Sequence, residues 1–262
     1  QYIKAKDANF QRVIQEARRD LLLSQWEDSS VDQRFVGPPR MNSFPTKLGE
    51  DLNIRQAVNV ERINRDKEFW SINTNVDVFR ASNVVITIPA PQIPSLIGLD
   101  HPLSERLSVV TIITLMAAFR GGYKCDLQHI RITEGNLAWI ANNSSKPGRI
   151  SADCWVAQAS PLWSEDNIDA PTEEIEKSLL SMLGEKIGAH PEEPRYSEVH
   201  CWKYANVTNP LGEPCLKDIT NSLFLGGDWC LGPKVEAAWK SGKALAHEII
   251  KNNDQRGSMS CA

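Results

Sequence analysis

Apolar positions recur at two spacings along this chain, and the change from one to the other marks its elements. Val13, Ile14, Ala17 and Leu21 share one face at helical spacing, predicting a helix over Phe10–Leu23 with Asp7 or Asn9 as its cap. Trp26–Arg34 is polar and reads as a loop, and Phe35–Pro39 as a turn. Phe44, Leu48 and Leu52, four apart, predict a helix over Met41–Leu52, with Pro45 tolerated in its first turn. Ile54–Ile63, Phe69–Ile72 and Val76–Phe79 are short strand-like runs that form an antiparallel meander. NVVITIPAP, Asn83–Pro91, is a continuous β-branched run closed by prolines, the pattern of a buried strand. Gln92–Ile97 begins a short helix.

The second half is richer in strands. Leu107–Phe119, Ile130–Thr133, Asn136–Ile140, Asp153–Ser160 and Val199–Ala205 all read as strands, with Asn142–Gly148 as a turn or binding loop. Thr172 is placed to cap a helix over Glu173–Ile187, and Pro191 and Pro194 break the chain after it. Ser222–Ile250 is the most informative stretch. Leu223–Leu225 is a buried strand, Gly226 and Gly227 stop it, and Asp228 follows at the strand's end. After Pro233 a helix carries Val235, Ala238, Trp239, Ala244, Leu245 and Ile249 at helical spacing. Two glycines allow close approach to the backbone, and a helix start offers unpaired N–H groups and partial positive charge to an electron-rich ligand. An ordinary strand-to-helix turn has the same pattern, so the glycine pair alone does not decide. Asn252–Ala262 is polar and predicts a frayed end. The fold class is α/β (α+β): a nucleotide-binding domain interrupted by a mostly antiparallel one.

Composition narrows the chemistry. The 262 residues carry a net charge of -4, which leaves no electrostatic case for nucleic acid or an acidic membrane. The longest apolar run, Val109–Phe119, is interrupted by Thr111 and Thr114 and falls short of the ~18 residues of a spanning helix. No leader pattern stands at the start. The six cysteines form no C-x-x-C pair and the five histidines show no ligand spacing, so no metal site is expected and the thiols read as reduced, in a cytoplasmic setting. Cys201 stands beside His200, but neighbours on a strand point to opposite faces. Glu173–Glu174 and Glu192–Glu193 read as solvated faces. No catalytic acid, base or nucleophile emerges.

LFLGGDWCLGPKVEAAWKSGKALA resembles the C-terminal flavin-binding segment of amine-oxidase-like FAD enzymes, and among them is most similar to the renalase-like group. QYIKAKDANFQ, FVGPPRMNSFPTKLGEDLNI, NVVITIPAPQ, WIANNSSKPGR, WVAQASPLWSEDNI and HCWKYA resemble further stretches of the same group in the same order, covering nearly the whole chain. The resemblance implies FAD as cofactor and a discontinuous division: 34–97 with 216–252 as the FAD-binding domain, and 1–33 with 98–215 as the substrate domain. It implies that Val60 lies at the adenine end, that Pro89 and Ala90 end a strand bordering the cofactor, and that Gly226, Gly227 and Asp228 hold the ribityl–phosphate region. Val235 would start the helix under the flavin. Trp155, Gln158, Trp163 and His200 are the candidates for a substrate-pocket wall, with packed core positions as the competing reading.

One part of the family pattern has no counterpart. The family opens on a strand, a G-x-G-x-x-G turn and a helix, and no G-x-G-x-x-G occurs in these residues; Gly121–Gly122 lacks the third glycine. The FAD-binding domain is therefore expected to be incomplete. The implied chemistry is hydride transfer from a small reduced substrate to flavin, with oxygen as acceptor; for the renalase-like group the donors are isomeric reduced nicotinamide nucleotides. An amine-oxidizing enzyme and a flavin-free protein that binds a ligand or partner are the alternatives. Oligomeric state is not legible.

Overall fold

Period-two burial builds the larger sheet of this protein. The computed structural model describes residues 2–26, 33–98, 110–119, 127–149, 153–187, 194–220 and 222–259. Expectations at His101, Gly121–Gly122, Cys125, His190, Pro191, Glu192–Glu193 and Cys261 lie outside them, as does the start of the strand expected from Leu107.

The chain forms two compact units. The first comprises Gln1–Lys4, Gln11–Glu50 and Val110–Asn206. Its antiparallel sheet has the order β11-β7-β10-β9-β8, with β7 at Val110–Phe119, β8 at His129–Arg131, β9 at Leu137–Asn142, β10 at Asp153–Ala159 and β11 at Tyr196–Asn206. Ile113, Leu115, Ala117 and Phe119 alternate onto one face, where Trp155, Ala157, Ala159 and Ile140 join them. Helix α5, Thr172–Ile187, lays Ile175, Leu179, Leu183 and Ile187 on that face, each four residues from the last.

Helix α4, Pro161–Asp166, was not expected; it follows directly on the strand read over Asp153–Ser160. Its signal is local: the Ser160 hydroxyl accepts from Trp163 N–H, and proline suits the first helical position. Ser164 then anchors α4 to the sheet, accepting from Ile113 N–H at 3.0 Å and donating to the Ser160 carbonyl at 2.8 Å.

The opposite face of the sheet packs Trp139 and Ala141 against Trp26 and Val36, with Tyr2, Met41 and Val156 around them. Trp26 is thus a core residue, not part of a polar loop. Strand β1, Ser24–Gln25, pairs with β2, Phe35–Val36, and carries Trp26 inward. Helix α1 spans Ala8–Arg19, with the Asp7 carboxylate accepting from Asn9 and Phe10 N–H as the cap. It stops short of Leu21, whose φ of 59° turns that side chain out to 80% exposure, and Leu23 is buried in its place. Helix α2 is also shorter than expected, Ser43–Leu48: Phe44 is buried, while Leu48 and Leu52 are exposed.

The second unit comprises Ala5–Phe10, Asp51–Val109 and Val207–Ala262. Residues 34–50, expected with the 34–97 segment, group with the five-stranded sheet because β2 pairs with β1 and Val36 packs on Trp139. The meander is β3 Val60–Asp66, β4 Phe69–Thr74 and β5 Val78–Ala81; it begins later than Ile54, which is exposed. A second sheet holds β13, Leu223–Leu225, between β6, Val84–Ile86, parallel to it, and β12, Leu216–Lys217, antiparallel. Among the described residues β6 is an edge of its sheet, and Val85 is 43% exposed, against the expectation of a strand buried on both faces. A 3₁₀ turn, Ala90–Gln92, leads into α3, Ile93–Ile97.

Ser222 ties the two sheets of this unit together. Its hydroxyl accepts from the Trp70 indole and from Arg65, both at 3.0 Å. Asp218 accepts from Ser222 and Leu223 N–H at 2.9 Å each. Burial would raise the Asp218 carboxyl, but these donors and the Thr220 hydroxyl hold it below the usual carboxylate range.

Helix α6 runs over Val235–Met259, so residues 252–259 are helical where fraying was expected. Its buried stripe is Ala237, Ser241 and Leu245, not Val235 and Ala238. At its start Glu236 accepts from Lys6 N–H at 2.6 Å and from Asp7 N–H at 3.3 Å. Lys240 pairs with both Asp7 and Glu236.

Candidate functional site

The strand–turn–helix formed by β13 and α6 is held by one serine that the sequence reading passed over. Ser241 lies fully buried, one turn from Ala237 and one from Leu245, and its Oγ accepts from Gly227 N–H at 2.9 Å. The signal was available: a small polar residue in the middle of an otherwise apolar stripe, opposite two glycines. Gly226 continues the parallel pairing through its N–H to the Ile86 carbonyl at 3.0 Å. A Cβ on Gly226 would lie 2.5 Å from Leu245 Cδ1 and 2.6 Å from Ser241 Oγ, so glycine is what lets helix and strand close up. At Gly227 a Cβ would meet the Trp229 indole nitrogen at 2.5 Å.

Asp228 follows at the start of a 3₁₀ turn, Asp228–Cys230. Its carbonyl accepts from Leu231 N–H at 3.0 Å and Gly232 N–H at 2.7 Å. Burial pushes its carboxyl up, and the N–H groups of Trp229 and of Asp228 itself only partly offset this. Trp229 is buried, and its indole N–H has no hydrogen-bond partner among the described residues. At Gly232, with φ +126°, nothing lies within 4 Å of where a Cβ would point. Helix α6 then begins at Val235, which is 44% exposed. The turn therefore combines a tight glycine contact on its helix side with open space before the helix start.

The other expected cofactor residues lie in the same unit. Val60 opens β3 opposite Thr74, and it packs in the cluster that holds Ile86, Ala90, Leu225 and Trp229. Pro89 is extended, with φ −52° and ψ 134°, and ends the run from β6; Ala90 after it is fully buried.

The four pocket candidates of the first unit divide between the two faces of its sheet. Trp155 is 1% exposed and belongs to the core under α5, and Trp163 packs against that core from α4. Gln158 and His200 are on the other face, both opposite Thr114 in register, with Trp139 next in the row. His200 is exposed and its ring lies 4.0 Å from that of Trp202. The alternation of strand side chains separates Trp155 from Gln158 although they are three residues apart.

Among the described residues no group of three His, Cys, Asp or Glu is placed to hold a metal, and no helix is long and apolar enough to cross a membrane.

Comparison with known proteins bears on this arrangement. A protein from Exiguobacterium sp. 255-15 named as a protoporphyrinogen oxidase superposes with a TM-score of 0.66 at 16% identity, over 84% of this chain and 53% of that one. Putrescine oxidase in complex with putrescine gives 0.58 at 14% identity, over 84% and 54%. Cyclohexylamine oxidase from Brevibacterium oxydans IH-35A gives 0.57 at 15%, over 74% and 48%. The chain thus shares their fold and spans about half their length. Residues 8–250 match the sequence pattern of the flavin containing amine oxidoreductases, and the chain belongs to that family.

Proposed function

We propose that this chain supplies the flavin-ring side of an FAD site, and that the protein is an FAD-dependent oxidoreductase taking hydride from a small reduced substrate. The observation that carries this reading is the Gly226–Gly227–Asp228 turn, closed onto α6 by Ser241 and open at Gly232. These residues fit such a group. Gly226 and Gly227 expose backbone for close approach, and Asp228 offers a carboxylate for a ribityl hydroxyl. The start of α6 at Val235 brings the positive end of a helix dipole toward an electron-rich ring edge. Val60, Pro89 and Ala90 would border the rest of the cofactor. Bound FAD supplies the two-electron acceptor chemistry.

In the first unit, Thr114, Gln158 and His200 form one cross-strand polar row, which we assign to the substrate side; Trp155 and Trp163 stiffen the sheet from behind. We favour the renalase-like substrates, isomeric reduced nicotinamide nucleotides, with oxygen as acceptor. The likeness to putrescine and cyclohexylamine oxidases supports a second reading in which the donor is an amine. A flavin-free ligand- or partner-binding role is the third.

The visible absorption spectrum of the purified chain, before and after FAD addition, tests the cofactor assignment. A retained flavin spectrum supports it, and no uptake assigns this chain the flavin-free role. Anaerobic mixing then separates the donors: bleaching by isomeric reduced nicotinamide nucleotides but not by putrescine supports the first reading, and the reverse supports the second.

A further inference from the structure

A second cluster of polar groups lies in the first unit. It is built on residues 142–149, a loop pinned at every step. Asn142 Oδ1 accepts from Ser144 N–H at 3.0 Å, and the Ser145 hydroxyl donates to the Asn142 carbonyl at 2.8 Å. The Ser144 hydroxyl accepts from Cys154 N–H at 3.0 Å, and Ser145 accepts from the Trp26 indole at 3.1 Å. Gly148, at φ +73°, lies so close to Pro38 that a Cβ would meet that residue's Cβ at 2.6 Å.

This fixed loop presents two cations three residues apart. Lys146 is only 5% exposed; its Nζ lies 5.3 Å from the Trp26 ring centre and 5.9 Å from that of Trp139, and donates to Asn143 Oδ1 at 3.1 Å. One terminal nitrogen of Arg149 is buried with no hydrogen-bond partner among the described residues. Arg131 stands opposite Trp139 in register and hydrogen-bonds the Tyr2 hydroxyl. Arg34, also buried, donates to His129 Nε2 and lies 4.9 Å from the Tyr2 ring centre. Among the described residues no carboxylate forms an ion pair with Lys146, Arg149 or Arg131.

Cations taken out of water side by side are costly unless an anion or aromatic faces compensate them. The faces of Trp26 and Trp139 do part of this for Lys146 and nothing for Arg149. The strain shows in the basicity of the group: burial, followed by the charge of Arg149, holds Lys146 down at about 8. A bound oxyanion would relieve the repulsion and satisfy the buried guanidinium nitrogen. We propose that Lys146 and Arg149, with Arg131 across Trp139, form a binding site for a compact oxyanion, a carboxylate or a phosphate group. It does not rest on the flavin reading. A site of this charge admits a phosphate- or carboxylate-bearing ligand and disfavours a diammonium such as putrescine.

The test titrates the full chain with inorganic phosphate, and separately with acetate, at constant ionic strength against chloride, following tryptophan fluorescence and thermal unfolding. Saturable binding of either anion is expected, weakened about tenfold in Lys146→Met and in Arg149→Gln, the loss of one charge-assisted hydrogen bond. Phosphate preferred over acetate assigns the site to a phosphorylated ligand, and the reverse to a carboxylate. An effect of both anions no larger than chloride's overturns the proposal, as does equal affinity in both variants. Should Lys146→Met fail to fold, Arg149→Gln, at a less buried position, decides alone. Neither readout uses flavin absorbance, so failure here is distinct from failure of FAD binding.

Discussion

The two units of this protein are stabilised in different ways. The first has one continuous five-stranded sheet whose alternating apolar face is covered by a single four-spaced helix stripe on α5. The second has two three-stranded sheets, one with strands of only two or three residues, tied by a hydroxyl at Ser222 and closed by a glycine at Gly226. A large apolar layer tolerates polar residues at the positions of its other face that Trp26 and Val36 do not pack, such as Gln158 and His200. Short strands joined by single atoms place a turn accurately but have little redundancy.

The largest expected effect is in the first unit. Leu183 is fully buried between α5 and the sheet, so Leu183→Ala should cost about 2–5 kcal/mol in denaturant unfolding, through lost burial and the cavity left behind. Hydrogen exchange should show β7 and β10 losing protection while Leu223–Leu225 keep theirs. Equal loss in both places would mean that the units do not unfold separately, and the contrast would fail.

Gly226→Ala probes the second unit. The added methyl would meet Leu245 and Ser241 well inside contact distance, and overpacking of this kind costs about 1–3 kcal/mol. Exchange protection should fall at β13 and the start of α6 and remain in β7 and β10. If FAD binds as proposed, uptake should fall with it, since the turn cannot keep its shape. Wild-type uptake in this variant would remove the turn from the site.

Ser222→Ala is the next step down. It leaves the buried Trp70 indole and Arg65 without their acceptor, at a cost of about 1–3 kcal/mol. Meander and β13 should lose protection together, because this hydroxyl joins them. A change confined to the meander would show that packing of Trp70, not the hydrogen bond, connects the two sheets.

The same contrast governs what was legible in the sequence. Long periodic segments such as Glu173–Ile187 and Asp153–Ser160 were read close to their true bounds, because burial on one face imposes the spacing. The turn at Gly226–Asp228 was legible from its glycines. Its serine stood out only as a small polar residue within an apolar stripe, and its role depends on the close approach at Gly226. Trp26 was misplaced because its polar neighbours say nothing of the strand pairing that turns it inward. Trp155 and Gln158 were grouped by the family resemblance, and the pleat sets them on opposite faces. Long-range contact decides the role of Ser241 and the burial of Trp26, whereas the alternation of a strand is enough to separate Trp155 from Gln158.

The last effect is a dependence on pH. His129 lies against the Trp26 and Tyr2 rings and accepts a hydrogen bond from Arg34. Burial, then the charges of Arg34, Arg131 and Lys4, holds it down at about 4, against 6.5 for the free side chain. The folded imidazole therefore stays neutral where the unfolded one takes up a proton. Its contribution to stability is complete above pH about 6.5 and is lost as pH falls toward about 4. In His129→Gln, whose amide oxygen can still accept from Arg34, that slope should vanish. Carboxylates titrating in the same window act equally on both proteins, so the difference between their denaturation midpoints at pH 7, 5.5 and 4.5 isolates the histidine. Parallel curves would show that His129 takes up its proton equally in the folded and unfolded states, and that its surroundings do not hold the ring neutral.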